Sequence, residues 1–532
     1  MFVLHPNRIF KFIIMFVFSI MIAFLFPIIL SFDVKTDLID LWLDGSRGLL
    51  PALYRSSIFA LISSCVNVFI GLQIAIFLRR ISLTSRKGTL LSVLLLPILL
   101  GNVTISYIFK CSLYGSPFFS SLISGGKWIQ YASLLFIQFW QYGFLFIYLF
   151  WLSIRRIPNA KYTYASSVKM TDKEVIRDLI IPSVKNLFIL LFVINFVFSI
   201  YESAKCQFIF KMSQGQDTEL LGQALYRIHQ SFSVVNPVTS QAMTLKSGLL
   251  ITLLVMVLVM TCAYFLYLFF NSIRRKSAVF LRVSAKQGDM VAILCIICTI
   301  VPIAAALIKS NYAFSMDFVR EILSPLIMTV ISAIFASALA IIFGIAYRIV
   351  LNKRSKMHSI QSVLLLLCVF LLQLIPPVCV VICGYRWMSI VSYNGIIPYV
   401  IWIWGHPVLT FPLLASFIIA THLVVSSNEI DWLDVHRMKG IDIIKYSFQK
   451  RFRKDYMLTL LFAFSFIWND VTLNKVLSDK IPSFADKMQR LFIGRATDDA
   501  QATLYALIAI IIALMCLSLW RSVIKRISAV NE

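Results

Sequence analysis

Stretches of about 20 consecutive apolar residues recur along the chain, and no other feature limits the fold so strongly. A run of that length crosses the hydrocarbon of a bilayer as a helix. Inside lipid the backbone must satisfy its own N–H and C=O groups, which leaves helices and closed barrels. The runs are continuously apolar rather than alternating, so they read as helices. Twelve spans are expected: Phe10–Ser31, Ser56–Leu78, Leu90–Phe109, Ala132–Ile154, Leu187–Phe208, Leu249–Phe270, Met290–Ile308, Leu326–Ala346, Val363–Gly384, Ile397–Ala420, Met457–Val476 and Ala502–Trp520. With 60% of its 532 residues hydrophobic and 14% charged, the chain has too much apolar surface for a water-soluble domain to hide. The expected class is an all-α polytopic membrane protein. Arg8 and Lys11 accompany the first run as in a secretory leader, but the run is too long and no small-residue cleavage site follows. It is read as a retained helix.

Charge orients the spans. With the N-terminus inside, 31 of the 49 Lys and Arg fall on the cytoplasmic side, 15 fall outside, and Lys11, Lys205 and Lys475 lie within spans. This bias follows the positive-inside rule and places both termini in the cytoplasm of a cell (inner) membrane protein. The net charge of +25 is then met by anionic lipid headgroups, and no nucleic-acid partner is implied. The ten cysteines fall mostly within spans, where a thiol behaves as a small apolar group. "CIIC" at Cys295–Cys298 has redox spacing but is one of these. Cys111 and Cys206 approach the outer face, and their pairing is open.

The order of long and short loops repeats between residues 1–275 and 276–532, which predicts two pseudo-symmetric six-helix halves. In each half the longest inside loop joins the fourth and fifth spans: Arg155–Asn186 and Thr421–Tyr456, with seven Lys and Arg apiece. The following spans carry "SIYESAKCQFIF" and "FIWNDVTLNKVL". Glu202 and Asp470 stand 17 and 16 residues beyond Lys185 and Lys454, near the outer ends of their helices. Intramembrane carboxylates tend to face a cavity or a partner. Glu202 and Asp470 are therefore candidates to line the pathway; the alternatives are helix capping at the interface or, for Glu202, pairing with Lys205.

Within the second long loop, "DVHRMKGIDIIKY" reads as a short helix, a break at Gly440 and another short helix along the membrane surface. This segment resembles the E-A-A-x-x-x-G loop of binding-protein-dependent ABC importer permeases, with Asp434, Val435 and His436 at the E-A-A positions and Gly440 at the glycine. The first half has "YASSVKM", with Tyr164, Ala165 and Ser166 in the same slot and Met170 in place of the glycine. Its "IIP", ending at Pro182, looks like the family's closing I-x-L-P, one residue short; in the second half Arg453 stands where that proline would be. The layout is closest to fused two-half permeases of the ferric-iron and thiamine uptake type, and "TELLGQALYRIHQ" is similar to the outer loop before the last span of a half. The resemblance implies a transport subunit, with iron or thiamine as the expected substrate. Its loops would dock into two separate cytoplasmic ATPase subunits, and a soluble binding protein would deliver substrate at the outer face. No cofactor or resident metal is implied.

"SLISGGKW" lacks the first glycine and the hydroxyl of a phosphate-binding loop, so ATP is expected to be hydrolysed by another chain and this chain is not read as an enzyme. His406, alone in a span, reads as a packing residue rather than a metal ligand. Pro376 and Pro377 are expected to break the ninth span. The rival class is a twelve-span secondary transporter driven by an ion gradient.

Overall fold

The computed structural model describes residues 42–43, 48–82, 85–114, 126–155, 157, 159–202, 205, 219–233, 237–273, 285–308, 323, 325–341, 374–390, 399, 402–403, 405–411, 414, 452–468 and 499–531. Among them there is no strand. The principal helices are α1 (Leu49–Leu78), α2 (Arg86–Ser112), α3 (Trp128–Arg155), α4 (Asn159–Ser167), α5 (Asp172–Glu174), α6 (Ile181–Ile200), α7 (Leu221–Ser233), α8 (Pro237–Ile273), α9 (Ala285–Ile308), α10 (Pro325–Ile341), α11 (Pro377–Ile390), α12 (Phe452–Trp468) and α13 (Asp499–Asn531).

Six of the described helices are long and apolar enough to cross a membrane, α1, α2, α3, α8, α9 and α13, or seven if a pair bent by 54° after Lys185 is one span. They fall on expected runs. The main shifts are at helix ends: α1 starts seven residues before Ser56, and α6 starts before Leu187 and stops at Ile200, where Phe208 was expected. The tenth span is represented only by fragments such as 405–411, and Phe10–Ser31 lies outside the described residues.

The chain forms two compact units from interleaved segments: Met1–Asp44, Ala224–Leu254 and Ser315–Arg490 in one; Gly45–Gln223, Val255–Phe314 and Leu491–Glu532 in the other. Each draws on residues from both sides of residue 275.

The second unit is organised by α1. Its buried Ala52, Ser56, Ala60, Ser63, Ser64, Asn67, Gly71 and Ala75 recur every three or four residues and make one narrow face of small side chains. In lipid, where apolar burial alone does not drive helices together, such a face lets backbones approach closely. A Cβ at Gly71 would lie 3.3 Å from Phe146 Cβ and 3.5 Å from the Ile147 nitrogen. Helices α6 and α3 pack on this face, α9 packs on α1 and α2, and α13 packs on α2. Trp520 Nε1 donates to the Tyr148 hydroxyl at 2.8 Å, and Tyr107 and Thr503 share a short hydroxyl–hydroxyl hydrogen bond. The opposite faces of α8 and α9 expose Leu253, Val257, Met260, Phe265, Ile293, Leu294 and Ile297, as lipid-facing helices do.

In the first unit, α11 begins at Pro377 after a non-helical Pro376, so the expected proline break is present. Gly248 on α8 meets α11 so closely that a Cβ there would lie 2.1 Å from Cys379 Sγ.

Candidate functional site

One end of the second unit gathers its charges. Arg79, just past α1, donates to Asp172 at 2.8 Å, and Arg80 reaches the same carboxylate at 3.7 Å. Lys87 pairs with Asp289 at 2.6 Å, and Arg521 donates to Ser92 at 2.9 Å. The last carbonyls of α1 lack intrahelical partners by geometry. Here α3 supplies the donors: Trp151 Nε1 to the Leu78 carbonyl at 3.1 Å and Arg155 to the Arg79 carbonyl at 3.3 Å. Arginines at a helix C-terminus also complement its dipole.

The first long loop is fixed to this end. Helix α4 closes with the Met170 amide on the Ala165 carbonyl (2.9 Å) and the Lys169 amide on the Ser166 carbonyl (3.1 Å). That bond pair is a Schellman motif, which requires a left-handed residue at its turn. Lys169 provides it at φ 53°, without being glycine. Thr171 then opens α5 with a capping box: its amide donates to Glu174 at 2.7 Å and its hydroxyl accepts from the Glu174 amide at 3.4 Å. The Thr171 amide, joined by the Thr171 hydroxyl donating to the same carboxylate at 2.9 Å, holds the Glu174 carboxyl below its usual range. Burial raises the Tyr162 phenol, against the lowering pull of Arg79 and Arg155.

The structure places the loop residues as follows. Tyr164 is 67% exposed, Ser166 is exposed, Ala165 is buried, Met170 is half-buried, and Pro182 is exposed in the first turn of α6. A loop without glycine therefore still turns sharply, one residue before the Met170 slot. Lys169 adopts the backbone that glycine would adopt. Asp434, Val435, His436, Gly440 and Asp470 lie outside the described residues.

A buried polar seam runs away from the cationic end. On α6, Asn195 donates to Ser64 at 3.1 Å and to Ser63 at 3.3 Å, and it accepts from Asn67 at 3.0 Å. Ser199 donates to Ser63 at 3.2 Å. Helix α6 stops at Ile200, and Glu202 follows in non-helical backbone. Glu202 is buried and pairs with Lys205 at 2.5 Å; it also accepts from the Lys205 amide at 3.1 Å and from Gln138 Nε2 at 3.0 Å. Of the readings open for Glu202, the structure shows the pair with Lys205. The Lys205 ammonium, 0% exposed, also sits 5.1 Å from the centre of the Tyr142 ring. Further along α3, Gln141 donates to Asn102 on α2 at 3.0 Å.

The backbones break where these side chains meet. Helix α2 has Gly101 at φ 67° and ψ 168° beside Asn102, a conformation open essentially to glycine alone. Helix α3 carries a π-helical turn at Phe139–Gly143, between Gln138 and Phe144. Such irregularities at membrane depth survive only inside protein or along an aqueous cavity, and they often mark functional sites. Gln138 lies 17 residues before Arg155, about 25 Å from the cationic end along α3.

The start of α7 is clamped near the start of α1: the Leu221 amide donates to Ser56 at 2.7 Å, and Arg55 donates to the Glu219 carbonyl at 3.1 Å. His406 is buried, with Nδ1 3.0 Å from the Trp402 carbonyl. Cys295 and Cys298 are free thiols within α9. No protein-family model, curated protein or solved structure matches this chain.

Proposed function

We propose that the chain is the membrane-spanning permease of an ATP-driven importer. In this reading it has two six-helix halves, both termini in the cytoplasm, and docking loops at residues 164–174 and 434–445 for two separate ATPase subunits. A soluble binding protein would deliver solute to outer segments around residues 210–246 and 480–501. The observation that carries the reading is the build of the first loop. Residues 159–174 form helix, tight turn and capped helix, tied by Arg79 and Asp172 to the end of α1 and presenting Tyr164 outward. A stiff projection anchored to a transmembrane helix transmits rigid-body motion, which alternating access requires.

The test is co-purification with the ATPase, with single cysteines at Ser166 and Asp434 cross-linked to it. Specific cross-links at both, and loss of ATP-dependent uptake in Gly440→Val, support the reading; assembly and full uptake without either cross-link refute it. Reporter fusions after Lys87 and Lys286 should report inside, and after Gly215 outside; the reverse pattern overturns the orientation.

The buried Glu202–Lys205 pair favours one second reading, a transporter driven by an ion gradient, because intramembrane ionisable residues mark such pathways. Uptake abolished by an ionophore but indifferent to ATP would select it.

A further inference from the structure

Among the described residues, three amide oxygens of the seam accept no hydrogen bond. Asn67 Oδ1, Gln138 Oε1 and Gln141 Oε1 are buried with no hydrogen-bond partner among the described residues. The orientation of Gln138 is fixed, because its amide nitrogen serves the Glu202 carboxylate, which only accepts; the nitrogens of Asn67 and Gln141 serve the amide oxygens of Asn195 and Asn102. Turning Gln138 over would set its carbonyl against a carboxylate. A buried carbonyl without a donor is costly, and several in one network call for a donor from elsewhere. Beside them, Glu202 and Lys205 neutralise each other completely out of water. The two charged groups and the free oxygen of Gln138 meet just beyond the end of α6, where the backbone is already unwound.

We propose that this seam is the binding site of a small zwitterionic solute whose ammonium carries N–H donors. The solute's ammonium replaces Lys205 on the Glu202 carboxylate and gives a second N–H to Gln138 Oε1. Its carboxylate replaces Glu202 on the Lys205 ammonium. The exchange conserves charge: a neutral pair meets a neutral solute, and each ion keeps a counter-ion. An amine alone would strand Lys205 and a carboxylate alone would strand Glu202, leaving an unpaired charge in low dielectric. Singly charged solutes should therefore bind about 100-fold more weakly, equivalent to ~2.8 kcal/mol. A zwitterion whose nitrogen is fully methylated pairs its charges but offers the Gln138 oxygen nothing. The proposal rests on the transport reading for its biological sense and departs from iron or thiamine as the solute.

The experiment uses the full chain in lipid nanodiscs. Thermal unfolding is followed with glycine, β-alanine and 4-aminobutyrate, whose charges are progressively further apart, and with propylamine, propionate and trimethylglycine at matched ionic strength. The expected result is a saturable rise in Tm with one or more of the three N–H zwitterions, and no comparable rise with the other solutes at the same concentration. The double variant Glu202→Gln/Lys205→Met leaves no stranded charge, so it should fold and lose the shift. Equal shifts with propylamine or propionate, a shift retained in the double variant, or no shift with any solute would overturn the proposal; the last leaves the amide oxygens to water. Uptake in reconstituted vesicles separates the two readings. Binding without uptake sinks transport and spares the site, whereas uptake of another solute without zwitterion binding does the reverse.

Discussion

Arg79–Asp172 and Lys205–Glu202 are both cation–carboxylate pairs in the same compact unit, at 2.8 and 2.5 Å. Their surroundings make them different interactions. Asp172 is 40% exposed, so water and salt reach the first pair, and removing the 8%-exposed Arg79 leaves its carboxylate partner solvated. The second pair has no water to fall back on, and losing one partner leaves a naked charge inside the membrane. Close geometry alone therefore says little about strength; the decisive question is what each ion meets when its partner is gone. Under the proposed function, the first pair would suit a part that holds its shape beside another protein, and the second a part whose pairing changes only when a replacement arrives.

Breaking the buried pair from one side should give the largest effect. Lys205→Met is expected to cost about 3–5 kcal/mol, because Glu202 is left buried and charged. The measurement is the Tm in nanodiscs, and adding Glu202→Gln should recover most of the loss. Equal Tm values for the single and double variants would contradict the contrast. Next comes the neutral part of the seam. Asn195→Leu removes hydrogen bonds to Asn67, Ser63 and Ser64 at once. Interhelical hydrogen bonds in membranes contribute about 0.6–1.7 kcal/mol, so denaturation in mixed micelles should show a loss near that range.

At the exposed end, Arg79→Gln should cost about 1 kcal/mol or less, and the cost should shrink as salt rises from low to physiological concentration. A salt-independent loss as large as that of Lys205→Met would erase the distinction between the two ends. Lys169→Gly should act in the opposite direction. It relieves a left-handed residue with a Cβ, a strain of about 1–2 kcal/mol offset in part by the greater freedom of unfolded glycine. Slower amide exchange at Met170 and slower proteolysis of the loop are the readouts.

The smallest effect is pH-dependent. The Glu174 carboxyl is held low by the Thr171 amide and hydroxyl, so its folded pKa lies below its unfolded value. The capping contribution is full above the unfolded pKa and disappears as pH falls through the folded one. Exchange protection of the Thr171 amide, measured from neutral into the acid carboxylate range, should decline on that side only; a loss on the alkaline side would assign the cap to another group.

How much of this was legible depended on what each feature leaves in the sequence. Spans were legible because lipid demands about 20 apolar residues in a row, and the cationic ends because Arg79, Arg80, Lys87 and Arg155 flank those runs. The break at Pro376–Pro377 was legible from covalent geometry. The seam was legible only at Glu202 and Lys205. Asn67, Gln138, Gln141 and Asn195 carry no charge, so a search for ionisable residues passes over them, although an amide inside an apolar run is itself a signal. The turn at Lys169 left no mark, since its residue type argues against the backbone it adopts.

The break at Gly101 also shapes the electric field. An unbroken span keeps the ends of its peptide dipole near the two membrane surfaces, about 30 Å apart. Helix α2 instead brings a carbonyl-rich end and an amide-rich end together deep within the protein, each equivalent to up to about half an elementary charge. With little water there to screen them, these ends create a fixed local gradient. Under the proposed transport reading, a dipolar solute at that level would be oriented by the backbone itself, so the peptide chain would act as a polariser as well as a wall.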